Sequence, residues 1–133
     1  MLRVVLDTNV IVSAVISGGK PRQLLDRGID GRFQIVVSES ILKEVGTVLH
    51  RQKFRASDDE ISNTILALMQ SGDVTAVTSN FNVVEEDPAD DAILNTAFDG
   101  GAGVLVTGDR HLLELKEFKR TKILSVKDAL KRL

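Results

Sequence analysis

The chain of 133 residues contains no cysteine, tryptophan or tyrosine. The absence of cysteine excludes disulfides, thiol catalysis and thiolate zinc sites, and it is typical of the reducing cytoplasm, where we expect this protein. Phenylalanine supplies all of the 4% aromatic content, so the core must rest on valine, isoleucine, leucine and alanine. No apolar run is long enough for a signal peptide or a membrane span, so we expect no association with membranes.

An excess of basic charge is also missing, since the net charge is -2 and the pI is about 5.7. A protein that holds nucleic acid through phosphate contacts alone is usually basic, which argues against a simple nucleic-acid-binding module. The composition is compatible with a nuclease whose acidity is concentrated in one site and neutralised there by metal. The balance of 43% hydrophobic and 27% charged residues is that of a globular chain, and its length predicts one domain over residues 1–133.

Short β-branched apolar runs alternate with helical patterns along the chain. This predicts an α/β domain with a central, mostly parallel sheet flanked by helices in three layers. We predict strands at 2–6, 33–37, 74–77, 104–107 and 122–124. We predict helices at 9–17, 21–29, from Ser38 or Ser40 to about 49, and at 57–69, 88–98, 110–117 and 126–133.

Two acidic residues follow predicted strands. Asp7 comes at the end of the first strand, and Asp109 comes just after the strand at 104–107. Because ligands of open parallel sheets bind beyond the carboxyl ends of the strands, these two carboxylates are candidates for one shared site.

Helical geometry marks two further acids. Glu44 falls about 40° past one edge of the apolar stripe of its helix, so it can lean into a cleft. Asp90 falls near the centre of the apolar side of the helix at 88–98, and Asp91 falls at the margin of that side. A carboxylate on an inward helix face needs a partner, because burying it alone is costly.

Each acid also has a purely structural explanation. Asp7 and Asp109 fit the N-cap position of the helices that follow them, and Glu44 fits a solvated helix border. In the segment 87–90, Asp87 fits an N-cap with Asp90 at the third helical position. The residues alone leave both explanations open.

Four blocks of sequence resemble the PIN-domain family, and more closely its toxin-like branch of the VapC type. They are VLDTNV at 5–10, SESILKEV at 38–45, DPADDAIL at 87–94 and VLVTGD at 104–109. The blocks stand in the family's order and span most of the chain. The resemblance therefore implies a PIN-type fold and a ribonuclease.

The resemblance implies an acidic cluster that binds metal and cleaves RNA. Its members are Asp7, Glu44, Asp90 and Asp109, with Asp91 as the alternative third ligand and with Asn9 and Thr107 as supporting polar residues. Asp90 is favoured over Asp91 both by the family pattern and by the helical azimuths. A set of carboxylates without cysteine suits the hard cations Mg²⁺ or Mn²⁺.

The expected substrate is RNA, cleaved internally to leave a 5′-phosphate and a 3′-hydroxyl. The expected RNA contacts are Lys20, Arg22, Arg51, Lys53, Arg55 and Arg110. Phe54 either stacks on bases beside its basic neighbours or packs inward from a solvated loop. The resemblance further implies a toxin that is inhibited by a small antitoxin protein and that forms a homodimer or larger assembly.

Three other functions fit parts of the pattern. A PIN-like domain that only binds RNA or protein would not need the full set of acids. A haloacid-dehalogenase-type phosphatase needs a second aspartate two positions after the first, where this chain has Asn9. A receiver-type signalling domain needs adjacent acids near the first strand and a late strand-end lysine, neither of which is evident.

Overall fold

A computed structural model describes residues 1–52, 54–84 and 87–133. Lys53, one of the expected RNA contacts, lies outside the described residues. Within them, one sheet has the strand order β3-β2-β1-β4-β6-β5. The strands are β1 (Arg3–Leu6), β2 (Gln34–Val37), β3 (Gly72–Val74), β4 (Val104–Val106), β5 (Glu117–Phe118) and β6 (Thr121–Leu124). All neighbouring strands are parallel except β5 and β6, which form an antiparallel hairpin.

Helices connect the strands. They are α1 (Thr8–Ile16), α2 (Gly19–Ile29), α3 (Glu39–Arg51), α4 (Asp58–Ser71), α5 (Pro88–Asp99), α6 (Arg110–Leu115) and α7 (Val126–Arg132). The α/β architecture with a mostly parallel sheet, predicted from the sequence, is confirmed. In the described part of the chain, no helix is long and apolar enough to cross a membrane.

The continuous apolar strands occupy the centre of the molecule. Val4, Val5 and Leu6 of β1 are fully buried, as expected for a parallel strand covered on both faces. Ser38 caps α3 by accepting a hydrogen bond from the backbone N–H of Ile41 at 3.3 Å. These contacts fix the start of α3 directly beyond the end of β2.

Two phenylalanines differ from the sequence-based expectation. Phe98 is an apolar residue at the end of the helix predicted at 88–98, where burial is expected, but it is 43% exposed. It lies in the last turn of α5, where its ring packs edge-on against Phe81, with 4.9 Å between the ring centroids. Phe54 is fully exposed, which contradicts the alternative that it packs inward.

Helix α5 holds a non-helical segment, residues 75–84, along one of its faces. Three polar side chains spaced four residues apart accept hydrogen bonds from backbone N–H groups of this segment. Asp99 accepts from Thr78 (2.7 Å) and Ser79 (2.8 Å), Asn95 from Phe81 (2.8 Å), and Asp91 from Val83 (2.9 Å) and Val84 (2.8 Å). Because residues i, i+4 and i+8 share one helix face, the segment is held at three successive turns.

Replacing Asp91 by alanine is expected to lower the free energy of unfolding by about 2–3 kcal/mol. The substitution leaves two partly buried backbone N–H groups without their charged acceptor. Urea unfolding at constant pH measures the change, and Asp91→Asn serves as the matched control because its amide oxygen keeps one acceptor. A loss below about 0.5 kcal/mol for the alanine variant would show that the segment does not depend on Asp91.

Candidate metal centre

The candidate site lies where the order of the strands reverses. The chain runs from β1 to β2 on one side, while β4 pairs with β1 on the other side, with Leu6 opposite Val106. Asp7 directly follows β1, and its backbone N–H donates to the carbonyl of Val106 at 2.9 Å. Such a reversal opens a crevice at the carboxyl ends of the strands, which is the usual ligand site of open α/β sheets.

Thr107 links the acids that follow the two central strands. Its buried hydroxyl donates a hydrogen bond to Asp7 Oδ2 at 2.6 Å and accepts one from the backbone N–H of Asp109 at 3.0 Å. One side chain thus fixes both strand-end aspartates, and its supporting role beside a metal stays a prediction. The side chain of Asn9, the other supporting candidate, is exposed in the first turn of α1.

Three aspartates come closest together. Carboxylate oxygens of Asp87, Asp90 and Asp109 all lie within 4.8 Å of one another. One oxygen of Asp87 accepts from the N–H of Ala89 at 3.0 Å, and one oxygen of Asp109 accepts from the N–H of His111 at 2.8 Å. Each of these caps uses a single carboxylate oxygen, so capping a helix and binding a ligand are compatible roles.

Sequence reasoning gave Asp87 only the role of a cap. The structure adds it to the cluster, because an N-cap and the residue three positions later lie on the same first turn of α5. The spacing in the segment 87–90 was therefore a usable signal.

Asp90 is the member of this triad that lacks a partner. It is 6% exposed, and among the described residues its buried Oδ2 has no hydrogen bond. The pKa of Asp90 is raised to about 6, and burial is the largest cause. The negative charges of Asp109, Asp87 and Asp7 also raise this pKa, whereas His111 lowers it. An unsatisfied buried carboxylate is costly, so this oxygen needs either a proton or a cation.

Asp7 and Glu44 lie outside the tight triad but act on it electrostatically. Burial raises the pKa of Asp7, with a further contribution from Asp109, against the lowering effect of the Thr107 hydroxyl. Burial also raises the pKa of Glu44, followed by the charge of Asp7, and the nearby Thr8 hydroxyl lowers it. That buried hydroxyl forms no hydrogen bond of standard geometry within the described residues. The four predicted acids thus surround one region of concentrated negative charge.

The carboxylate of Asp91 binds the backbone of a neighbouring segment. One of its carboxylate oxygens accepts both backbone hydrogen bonds from residues 83 and 84, and it is absent from the triad of described residues. The Val84 carbonyl in turn accepts from the N–H of Asp87 at 3.1 Å. Asp91 thereby holds Val84, whose carbonyl contacts Asp87, and the use of Asp91 as an alternative metal ligand stays a prediction.

A buried hydroxyl pair joins the two helices that carry the other acids. The hydroxyls of Thr96 on α5 and Ser38 at the start of α3 are hydrogen-bonded at 2.9 Å. This contact sets the position of Glu44 on α3 relative to Asp90 on α5. The site is therefore rigidly framed by two strand ends and two helices.

The expected RNA contacts occupy different surfaces. Arg51 lines a groove of about 520 Å³ between α3 and α5 that also contains Glu44. Lys20 is exposed on α2, where Arg22 pairs with Asp26 at 3.1 Å. Arg110 follows Asp109 and pairs with Glu114 at 3.5 Å, while Arg55 is exposed in the turn before α4. Of these residues, only Arg51 lines the groove that contains Glu44.

The donor set of the triad fits a hard divalent cation. Carboxylate oxygens are the ligands that Mg²⁺ and Mn²⁺ prefer. Oxygens that share one such ion at about 2.1 Å lie within about 4.2 Å of one another, close to the observed spread. The unpartnered Oδ2 of Asp90 gives the cluster a ligand that the protein itself does not satisfy.

Comparison with known proteins agrees with this fold. Residues 3–111 match the family model of the PIN domain. An uncharacterised protein of Methanocaldococcus jannaschii is 31% identical over 120 residues, which cover 87% of this chain and 76% of that protein. A chain in the crystal structure of VapBC2 from Rickettsia felis, bound to a promoter DNA fragment, superposes with a TM-score of 0.64 at 14% identity. That match covers 93% of this chain and 98% of the other. The protein belongs to the PIN-domain family.

Proposed function

We propose that this protein is a metal-dependent endoribonuclease of the cytoplasm that hydrolyses RNA phosphodiester bonds. The observation that carries the proposal is the buried, unpartnered oxygen of Asp90 beside Asp87 and Asp109. It stands at the crevice of a fold whose family model is that of the PIN domain, a family composed largely of nucleases.

In this proposal, Asp87, Asp90 and Asp109 hold the cation, with Asp7 and Glu44 beside them. A bound Mg²⁺ or Mn²⁺ supplies charge that neutralises the carboxylates, draws in the scissile phosphate and acidifies the attacking water. Thr107 holds the Asp7 carboxylate in one orientation, and the helix caps hold Asp87 and Asp109. The side chains are thus in place before substrate arrives, which avoids reorganisation during the reaction.

Cleavage of labelled RNA by the wild type and by Asp7→Asn, each with Mg²⁺, Mn²⁺ or EDTA, tests this function. We expect cleavage by the wild type with either metal, leaving 5′-phosphate and 3′-hydroxyl ends, and none in EDTA. Equal cleavage by both proteins, or activity that survives EDTA, would contradict the mechanism.

We also propose that RNA approaches along α3. Lys43, Thr47 and Arg51 are spaced at i, i+4 and i+8 and line the groove that contains Glu44. Lys43 and Arg51 are exposed, and among the described residues neither belongs to an ion pair. Two unpaired cations on one helix face, about 12 Å apart along the axis, offer contacts to phosphates on either side of the site.

Replacing both Lys43 and Arg51 by alanine is expected to raise KM for RNA about fivefold to tenfold with kcat unchanged. The contacts are electrostatic, so the slope of log affinity against log salt should also become shallower by about 1–2. Steady-state cleavage at several salt concentrations measures both. The control removes Lys127 and Lys131, two exposed lysines on α7. An equal effect of both double variants would indicate unspecific charge attraction.

The fold supports a proposal about biological role. VapBC2 of Rickettsia felis, whose chain shares this fold, was solved on DNA from its own promoter. We propose that this protein is the toxin of a toxin–antitoxin pair, inhibited by a small antitoxin and assembled as a homodimer or larger. Co-purification of a small protein encoded next to it, with loss of RNA cleavage in the complex, tests the pairing. Harmless overexpression of an active nuclease would argue against it.

A further inference from the structure

A second surface combines aromatic rings with cations near the amino ends of β4 and β6, whereas the acids lie beyond the carboxyl ends of the central strands. Three of the five phenylalanines form a cluster in which Phe81 packs edge-on against Phe98 and Phe118. The ammonium group of Lys119 lies 5.0 Å from the centroid of the Phe81 ring and 5.7 Å from that of Phe118. Scarce aromatic residues are thus gathered at one place with a cation above them.

A groove of about 710 Å³ opens beside this cluster. Its lining includes Phe98, Gly101, Gly103, Lys119 and Arg120. Within the described residues, no acidic side chain lines it, although the protein as a whole is acidic. The groove therefore offers one exposed aromatic face, a floor of small residues and two cations at its rim.

Lys119 occupies a backbone conformation that lysine rarely adopts. Its φ is 56°, in the left-handed region that favours glycine. Glycine would adopt this backbone conformation with less strain. The presence of a lysine side chain at this turn therefore needs an explanation. Strained residues of this kind gather at ligand sites.

We propose that this groove binds one nucleotide of a single-stranded RNA, with its base stacked on Phe98 and its phosphate held by Lys119 and Arg120. A base has an apolar face and carries an adjacent anion, which matches the exposed ring and its cations. The groove begins about 12 Å along α5 from Asp90, a distance that one RNA strand spans within a few nucleotides. The choice of RNA as ligand depends on the proposed function, while the groove itself does not.

The test is the binding of a fluorescein-labelled, single-stranded oligoadenylate, measured by fluorescence anisotropy in EDTA at low salt so that no cleavage occurs. Phe98→Leu keeps an apolar side chain but removes the ring, and Phe98→Tyr keeps the ring. We expect the leucine variant to bind about fivefold or more weakly and the tyrosine variant to bind within about twofold of the wild type.

The cation has a matched control in the same segment. Lys116 also has a positive φ, of 63°, but does not line the groove. Lys119→Gly and Lys116→Gly both remove one positive charge and relieve the backbone, so neither is expected to unfold the protein. We expect only Lys119→Gly to weaken binding, by about fivefold. A duplex of the same length, whose bases are not free to stack, should be insensitive to Phe98→Leu.

The proposed site is supported if Phe98→Leu and Lys119→Gly weaken binding of the single-stranded oligonucleotide while Phe98→Tyr and Lys116→Gly do not. The proposal is overturned if the wild type does not bind the oligonucleotide, if both variants bind like the wild type, or if Lys116→Gly has the same effect as Lys119→Gly. Since binding is measured without metal, failure of the wild type to cleave RNA would refute the proposed function and leave this result standing.

Discussion

Replacing Asp90 by asparagine is expected to reduce kcat for RNA cleavage by about a hundredfold or more at saturating Mg²⁺. The amide has nearly the same shape as the carboxylate, so the fold should be preserved. It removes, however, the buried charge that stands beside Asp87 and Asp109 without a protein partner. Single-turnover cleavage at saturating protein measures the loss of the chemical step.

Asp58→Asn provides the matched control for this variant. Asp58 is an exposed acidic residue in the first turn of α4, and it does not belong to the acidic triad. We expect the Asp58→Asn variant to cleave RNA as fast as the wild type does. If Asp90→Asn retained more than about a third of the wild-type kcat, Asp90 would not be part of the reacting centre.

The same substitution is expected to stabilise the metal-free protein at neutral pH. Folding raises the pKa of Asp90 from 3.8 to about 6, so the folded state binds a proton more tightly than the unfolded state. The contribution of this proton to the free energy of unfolding is fully present below about pH 4 and is lost as the pH rises through 6. In EDTA at pH 7.5, Asp90→Asn should therefore be more stable than the wild type by about 1–3 kcal/mol.

Urea unfolding in EDTA between pH 4 and 7.5 measures this difference. It should shrink to a small remainder at the acid end of the range, where the wild-type carboxyl is protonated in the folded state and about half protonated in the unfolded state. Adding Mg²⁺ at pH 7.5 should stabilise the wild type, because the ion binds only the folded cluster, and should leave the variant nearly unchanged. A variant that is less stable than the wild type at pH 7.5 in EDTA would show that ionised Asp90 is already satisfied within the protein.

The central strands and most helices were predictable because their signals are local. The apolar run of β1 has no polar alternation, which identifies a strand covered on both faces, and Ser57 and Glu60 form a capping box at the predicted start of α4. The hairpin strand β5 was missed because two residues are too few to show a period. The strand predicted at 74–77 lies at Gly72–Val74, since its position is set by pairing with β2 and not by its own sequence.

The acids were predictable where their position in a strand or helix was itself unusual for a carboxylate. Asp7 and Asp109 stand at strand ends, and the helical azimuth placed Asp90 inward, where the structure has it. Asp87 was missed because a cap fully explains it locally, although its spacing from Asp90 on the first turn of α5 already places the two carboxylates side by side. The task of Asp91 was missed because its partners are backbone N–H groups of a segment without any pattern.

The most direct test of the metal centre is a titration of the metal-free protein with Mn²⁺, followed by electron paramagnetic resonance of the free ion. The wild type is expected to bind one or two ions, Asp58→Asn to bind them equally well, and Asp90→Asn to lose at least about tenfold in affinity. Equal Mn²⁺ binding by Asp90→Asn and the wild type, or no binding by the wild type, would contradict a metal site at Asp87, Asp90 and Asp109.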